Sequence, residues 1–240
     1  LAERRQLIRA GQAMAFPEAG DPRRLAPTGG EGFGSEVDAD REATFAGSTT
    51  SFSIRDRWGN VVACTPTHGS GFGTGVVVGN TGMTFNNGTR HGSTSPYPDD
   101  VNYARGGQVP ILNNSPTLVL KDGAFHAAVG TPGGETIGQT EFQVLVNLLD
   151  YGMDIQEAIE APRFVLDADP NFYRAGASVT MSIEARVPDA AVEGLRRRGW
   201  RVELAPGYSF GSMQGILIDP RTGNAFAGAD PRRVAYAIGW

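Results

Sequence analysis

Thr49-Thr50-Ser51-Phe52-Ser53-Ile54-Arg55-Asp56-Arg57-Trp58-Gly59-Asn60-Val61-Val62-Ala63-Cys64-Thr65 is the stretch on which the fold turns. Ser51 to Ile54 alternates polar and apolar residues, the period of a strand with one covered face. Arg57-Trp58-Gly59-Asn60 carries turn chemistry, and Val61 to Thr65 continues as a second β-rich run. The expected product is a hairpin that opens on a pair of threonines. If the backbone is cut before Thr49, that residue holds both a hydroxyl and a free α-amine. An α-amine ordinarily titrates at about 7.7–8.0 and can take the hydroxyl's proton, so one residue supplies nucleophile and base.

Upstream of this stretch, residues 3–14 have helical character, and 15–48 read as a linker that includes the acidic run Asp38 to Glu42. Downstream, further strands are expected over 75–78, 83–85, 116–120 and 126–130, the last two joined by Lys121-Asp122-Gly123. Residues 136–151 lack proline and space Phe142, Leu145, Val146 and Leu149 as the apolar face of a helix packed on the sheet. Asp154 is placed to cap a short helix over 155–161 that Pro162 stops. A third helix covers 189–198 and ends near Gly199, and 201–228 returns to strands around Asp219-Pro220. This order of elements describes a layered α+β architecture.

The 240 residues, 40% of them hydrophobic, are enough for one large domain or two small ones. A net charge of −5 without long runs of either sign argues against a nucleic-acid partner. No apolar stretch approaches the roughly 20 residues of a membrane span. Leu1-Ala-Glu-Arg-Arg is not followed by the apolar core of a secretory signal. Cys64 is the lone cysteine, so no internal disulfide forms, and its apolar strand suits a buried structural thiol better than a nucleophile. His68, His91 and His126 lack metal-ligand spacing. Asp38-x-Asp40-x-Glu42 lacks the glycine and later ligands of a calcium loop. Gly69-x-Gly71-x-Gly73-x-Gly75 has neither the GxGxxG spacing nor the Gly-Lys-Ser/Thr ending of a nucleotide loop. Neither a metal nor a cofactor is expected.

Several motifs then fall in a fixed order: Thr49-Thr50 with Asp56-Arg57-Trp58-Gly59-Asn60, Phe72-Gly73-Thr74-Gly75, Asn86-Asn87, Ser115-Pro116-Thr117 and Gly130-Thr131-Pro132-Gly133-Gly134. They continue with Asp150-Tyr151-Gly152, Ala161-Pro162-Arg163-Phe164, Gly211-Ser212-Met213-Gln214 and Gly228-Ala229-Asp230-Pro231-Arg232. On these motifs the chain resembles the small-subunit region of the γ-glutamyltransferase (γ-glutamyltranspeptidase) family, from about residue 49 to the C-terminus. The resemblance implies a precursor that cuts itself between Ser48 and Thr49. It implies the four-layer αββα sandwich of N-terminal-nucleophile hydrolases, completed by a large subunit mostly absent from this chain. Residues 1–48 would then be the end of the large-subunit region and the pre-cleavage linker, and 49–240 the small-subunit catalytic region. Thr49 becomes the nucleophile and Thr67 its hydroxyl partner, although by itself Thr67 reads as an ordinary polar residue at a strand end. Gly133 and Gly134 become the oxyanion donors, although by themselves they read as a tight strand-to-helix turn. The implied partners are the large subunit of the same precursor and a small-molecule amide substrate. Many family members are periplasmic or extracellular, and a cytoplasmic location stays open.

The substrate-facing positions depart from the family. Substrate contacts are assigned to Asn87, Arg90, His91, Asn113 and Asn114. An acidic residue that receives the substrate's α-amine is expected shortly after Asn86-Asn87, yet Arg90 and His91 stand there, and a cation does not pair with an ammonium. Gly69 replaces an asparagine, and Leu112-Asn113-Asn114 replaces a pair of serines. The reaction expected is amide hydrolysis or acyl transfer through acyl-Thr49, with an acyl group that carries a carboxylate but no free α-amine. Two alternatives stand beside it: an ordinary γ-glutamyl transferase or glutathione hydrolase, and an uncleaved non-catalytic homologue that serves as a binding or scaffold protein.

Overall fold

The computed structural model describes residues 11–12, 49–69, 71–88, 98, 103–109, 112–169 and 176–239. Ser48, Arg90 and His91 lie outside the described residues, as do the expected linker over 15–48 and all of the helix expected over 3–14 except Gly11 and Gln12.

The opening hairpin is present as β1 (Phe52–Arg55) and β2 (Val61–Cys64), paired antiparallel with Phe52 opposite Cys64 and Ile54 opposite Val62. Its turn is closed by the Asp56 carboxylate, which accepts the Trp58 and Asn60 backbone N–H groups at 2.9 Å and the Asn60 amide at 2.7 Å. An aspartate that folds back onto the next residues in this way mimics a backbone turn. The remaining strands are β3 (Thr117–Lys121), β4 (Ala124–Gly130), β5 (Phe164–Asp169), β6 (Ser178–Glu184), β7 (Val202–Ala205), β8 (Gln214–Ile218) and β9 (Ala225–Ala229). Strands β3-β4-β8-β9 form one antiparallel sheet, and β5-β6-β7 form a second in which only the β6–β7 pair is parallel.

Successive residues on β4 sort the layers, because Cβ atoms alternate across a strand. Val129 is fully buried among Val144 and Leu148 of α1 (Ile137–Leu149), Ile155, Ala158 and Ile159 of α2 (Ile155–Glu160), and Met213. Gly130 faces the other way, onto the hairpin, where a Cβ would collide with Ser51 Oγ. Helices therefore cover one face of the four-stranded sheet and the hairpin covers the other. Asp154 and Glu157 form a reciprocal capping box at the start of α2. A second core, Met181, Ile183 and Val202 with Val192, joins the smaller sheet to α3 (Asp189–Arg197). The free edge of β5 is met by side chains: Gln143 pairs with the backbone N–H and C=O of Phe164, and Gln139 with those of Leu166.

Three expectations are corrected. Residues 75–78 and 83–85 share one bridge, Val77 with Thr84, rather than forming strands. Gly73, Gly75, Gly79 and Gly82 all take positive φ there and break the extended run. On α1 the buried face is Ile137, Thr140, Glu141, Val144 and Leu148, while Phe142 is 66% and Leu149 50% exposed. The polar pair Thr140 and Glu141 conceals the true stripe. Cys64 is only half-buried, because it is paired with Phe52 on the hairpin's outer face. Phe52, Ile54 and Val62 share that outer face and are exposed. Strands β5 and β6 are additions to the expected set.

Candidate active site

The register of the hairpin continues past its regular strands. Pairing that sets Phe52 against Cys64 also sets Thr49 against Thr67, which form an isolated antiparallel bridge. Thr50 N–H reaches Pro66 O at 3.1 Å between them. The hydroxyl oxygens of Thr49 and Thr67 are 2.8 Å apart, and Gly69 donates its backbone N–H to the Thr67 oxygen at 2.8 Å. With that lone pair occupied, Thr67 can direct its own O–H at the Thr49 oxygen, and a donor polarised in this way is strengthened. Thr49 and Thr67 are both half-buried.

Below this pair, the strand is pinned to the sheet by polar contacts. Ser51 Oγ accepts the Gln214 amide at 2.9 Å and lies 3.1 Å from Thr65 Oγ1. Asn114 donates its side-chain amide to Thr65 O at 2.8 Å. The sequence places Asn114 against substrate, but its amide is committed to the strand that carries Thr67. Asn113 beside it is half-buried. Asn87 donates its backbone N–H to His68 O at 2.9 Å, so it lies beside the residue after Thr67. Ser51 and Gln214 are the residues sequence reasoning missed. Their signals were the position of Ser51 two residues after Thr49 and the motif Gly211-Ser212-Met213-Gln214.

Gly133 and Gly134 follow β4 and open a 3-10 turn, Gly134–Thr136, that leads into α1. Since Ser51 abuts Gly130, Thr49 and this loop leave the layered sheets at the same end. Gly133 has φ 149° and Gly134 φ 56°, a reversal that L side chains resist. The Gly133 carbonyl accepts Thr136 N–H at 3.1 Å and Thr136 Oγ1–H at 2.9 Å. Neither glycine donates its own N–H to a protein acceptor among the described residues. Such N–H groups can receive a developing negative charge.

The loop is braced from behind. Thr131 Oγ1 accepts Ser212 N–H at 2.9 Å and donates to Pro132 O at 2.7 Å. The segment around Ser212 is tied to a buried ion network. Arg232 grips both oxygens of Glu184 at 2.7 Å, and Arg163 bonds Asp230 at 2.8 Å and Phe210 O at 2.7 Å. Asp230 in turn accepts Met213 N–H at 2.8 Å. Burial raises the Glu184 pKa, but hydrogen bonds from Arg232 and Arg186 outweigh it and hold the group at about 2. Among the described residues no cluster of three His, Cys, Asp or Glu side chains could hold a metal ion, and no helix is long and apolar enough to cross a membrane.

A gamma-glutamyltranspeptidase family model matches residues 1–240. Glutathione hydrolase proenzyme of Bacillus subtilis (strain 168) is 31% identical over 239 residues, 100% of this chain and 38% of the relative. A mutant gamma-glutamyltranspeptidase of Helicobacter pylori superposes with a TM-score of 0.62 at 30% identity, over 77% of this chain and 100% of that one. Cephalosporin acylase from Bacillus halodurans superposes with a TM-score of 0.72 at 27% identity, over 100% of this chain and 38% of that one. The chain spans about a third of the length of the curated glutathione hydrolases it matches.

Proposed function

This chain belongs to the gamma-glutamyltranspeptidase family, and on that premise we propose that it is the small-subunit part of a self-cleaving amide hydrolase or acyltransferase with Thr49 as nucleophile. Residues 1–48 end the large-subunit region of the same precursor, and the chain from Thr49 is the catalytic part. The large subunit completes a four-layer αββα sandwich. The exposed outer face of the hairpin, Phe52, Ile54 and Val62, offers it an apolar surface to cover.

The observation that carries this reading is the 2.8 Å contact between the Thr49 and Thr67 hydroxyls, with Gly69 N–H on the Thr67 oxygen. After cleavage between Ser48 and Thr49, the freed α-amine takes the Thr49 proton as Oγ1 attacks the amide carbonyl carbon. The oxyanion is received by the Gly133 and Gly134 N–H groups. The amine returns its proton to the leaving nitrogen, the C–N bond breaks, and an acyl ester remains on Thr49. Water or an acceptor amine then attacks that ester, and its C–O bond to Thr49 breaks.

The test uses the full-length precursor, incubated and then examined by intact mass with and without an electrophilic acyl analogue. Two fragments, the second beginning at Thr49 and carrying the adduct there, are expected. A single species that stays uncut and unlabelled overturns the reading and favours a binding or scaffold homologue.

The substrate-facing changes support an altered acyl specificity. Arg90 and His91 stand where an acid would receive an α-amine, Asn114 commits its amide to Thr65 O, and the family likeness extends to an acylase. The acyl group inferred carries a carboxylate and no free α-amine, of the glutaryl type, facing Arg90, His91, Asn87 and Asn113. Comparison of γ-glutamyl- and glutaryl-p-nitroanilide decides the point. A strong preference for the γ-glutamyl compound returns the chain to the ordinary γ-glutamyl transferases.

A further inference from the structure

Glu141 lies on the sheet-facing side of α1 and is 3% exposed. Its Oε2 accepts the Ser115 hydroxyl at 2.7 Å and lies 3.5 Å from the Thr117 hydroxyl, whereas Oε1 makes no hydrogen bond among the described residues. A carboxyl in such a place is costly unless its contacts compensate. No Lys, Arg or His pairs with it among the described residues.

Its neighbours explain its position. Ser115 follows Asn114, whose amide holds Thr65 O, two residues before Thr67. The helix that carries Glu141 begins at Ile137, directly after the turn Gly134–Thr136 that the glycine pair opens. One side chain thus joins the segment that steadies the Thr67 strand to the helix into which the glycine loop runs.

We propose that Glu141 is a positioning residue of the acyl-transfer reaction, fixing the 114–117 segment to the helix into which the 130–134 loop runs, so that the Thr49 hydroxyl and the glycine N–H groups face the same carbonyl. This rests on the reading of Thr49 as nucleophile. Burial pushes the Glu141 pKa up to about 7 against the lowering influence of Ser115, Thr117 and Thr131. The groups that face it are the Ser115 hydroxyl, which donates to Oε2 at 2.7 Å, and the Thr117 hydroxyl, whose nearer acceptor is Ser115 O at 2.9 Å. A carboxylate, which only accepts, is the form that the Ser115 donor serves. The Thr49 α-amine must also be neutral to act as base, so two ionisations lie on the acid side of the optimum.

The experiment takes the full-length precursor through cleavage as wild type, Glu141→Gln and Ser115→Ala. For each, the release of p-nitroaniline from the better of glutaryl- and γ-glutamyl-p-nitroanilide is followed across pH 5–9. Glu141→Gln is expected to process normally and to lose about tenfold in kcat with KM nearly unchanged, the effect of one misplaced hydrogen-bonded group. Its acid limb loses one ionisation, so the limiting slope of log kcat against pH falls from two towards one. Ser115→Ala keeps the carboxylate and loses kcat in the same way, which tests the proposal even where Glu141→Gln fails to fold. Unchanged kcat and pH profile in the variants, beside an active wild type with acyl-Thr49, overturns the role of Glu141 alone. A wild type that neither cleaves nor acylates overturns the nucleophile reading, and this proposal with it.

Discussion

Thr67 meets Thr49 across an antiparallel bridge with its hydroxyl oxygen 2.8 Å from that of Thr49, and the same oxygen is held by Gly69 N–H at 2.8 Å. With Thr49 as the proposed nucleophile, a hydroxyl so placed would stabilise negative charge on the Thr49 oxygen more than it binds any ground state. Thr67→Ala in the cleaved protein is therefore expected to lower kcat by about 10- to 100-fold with little change in KM. Thr67→Ser, which keeps the hydroxyl, is expected to recover most of the rate. Steady-state hydrolysis by the two cleaved variants checks this, and equal losses from both would remove the hydroxyl from the mechanism.

Gly130 is where the hairpin rests on the four-stranded sheet. A Cβ there would run into Ser51 Oγ and come within 2.9 Å of Gln214 Nε2. Those two atoms are bonded to each other, so neither can retreat without breaking the contact that pins β1 to β8. Gly130→Ala is expected to cost about 1–3 kcal/mol of stability, read from the urea midpoint. Ser51→Ala combined with Gly130→Ala gives the methyl group more room and is expected to be less unstable than the sum of the two changes.

The residues that were legible in the sequence share a local cause. The β1–β2 hairpin follows from alternation and an Asp-x-x-Gly-Asn turn, and α2 from its Asp154 cap and Pro162 stop. Thr49 and Thr67 are named from motifs, and the hairpin register then makes their meeting inevitable. What was missed depends on distant partners. The face of α1 was misplaced because Thr140 and Glu141 are polar yet buried, through contacts with Ile137 O and Ser115 that no periodicity encodes. Strand β5, Phe-Val-Leu-Asp-Ala-Asp, groups its large apolar residues at one end and its aspartates at the other. Strand β6 does alternate, Val179, Met181 and Ile183 against Thr180 and Ser182, a signal that a reading led by motifs passes over. The Ser51–Gln214 contact spans 163 residues and becomes visible only once β4 and β8 are paired.

Glu184 ties acid stability to the loop behind the site. Its native pKa of about 2 lies below the ordinary glutamate value of 4.5. The stabilisation it supplies is therefore fully present above pH 4.5 and is lost as pH falls towards 2. Glu184→Gln takes away the ion-pair partner of Arg232 and Arg186 and leaves Arg232 and Arg163 to share Asp230 alone, so one buried positive charge is uncompensated and the change is expected to cost about 3–5 kcal/mol at pH 7. The gap between wild type and variant should close between pH 4.5 and 2. Urea midpoints measured across that range give the test, and a constant gap would contradict the ionic role.

Glu141 acts in the opposite direction. Its native pKa of about 7 exceeds the ordinary 4.5, so the unfolded chain releases this proton first. The group therefore lowers stability progressively as pH rises from 4.5 to 7, by roughly 3 kcal/mol at most, and adds no further change above that. Glu141→Gln does not titrate. Its stability relative to wild type is expected to rise across pH 4.5–7, and a flat difference over that window would show that the carboxyl ionises normally.

Gly133 and Gly134 separate the two reasons for a glycine in the proposed oxyanion loop. An added Cβ at Gly134 meets nothing within 4 Å, so alanine there carries only the strain of φ 56°. That strain is about 1–2 kcal/mol, and the N–H direction is retained if the loop accepts it. At Gly133 a Cβ would lie 2.6 Å from Thr136 Oγ1, which donates to the Gly133 carbonyl at 2.9 Å. Gly133→Ala must therefore dislodge Thr136 and rotate the peptide whose N–H is assigned to the oxyanion. Losing one such donor lowers kcat by about 100- to 1000-fold. Gly133→Ala is expected to approach that loss in the cleaved protein, with Gly134→Ala well short of it. If the two variants lose kcat equally, with matched circular dichroism and normal cleavage, the glycines serve the turn and the oxyanion donors lie elsewhere.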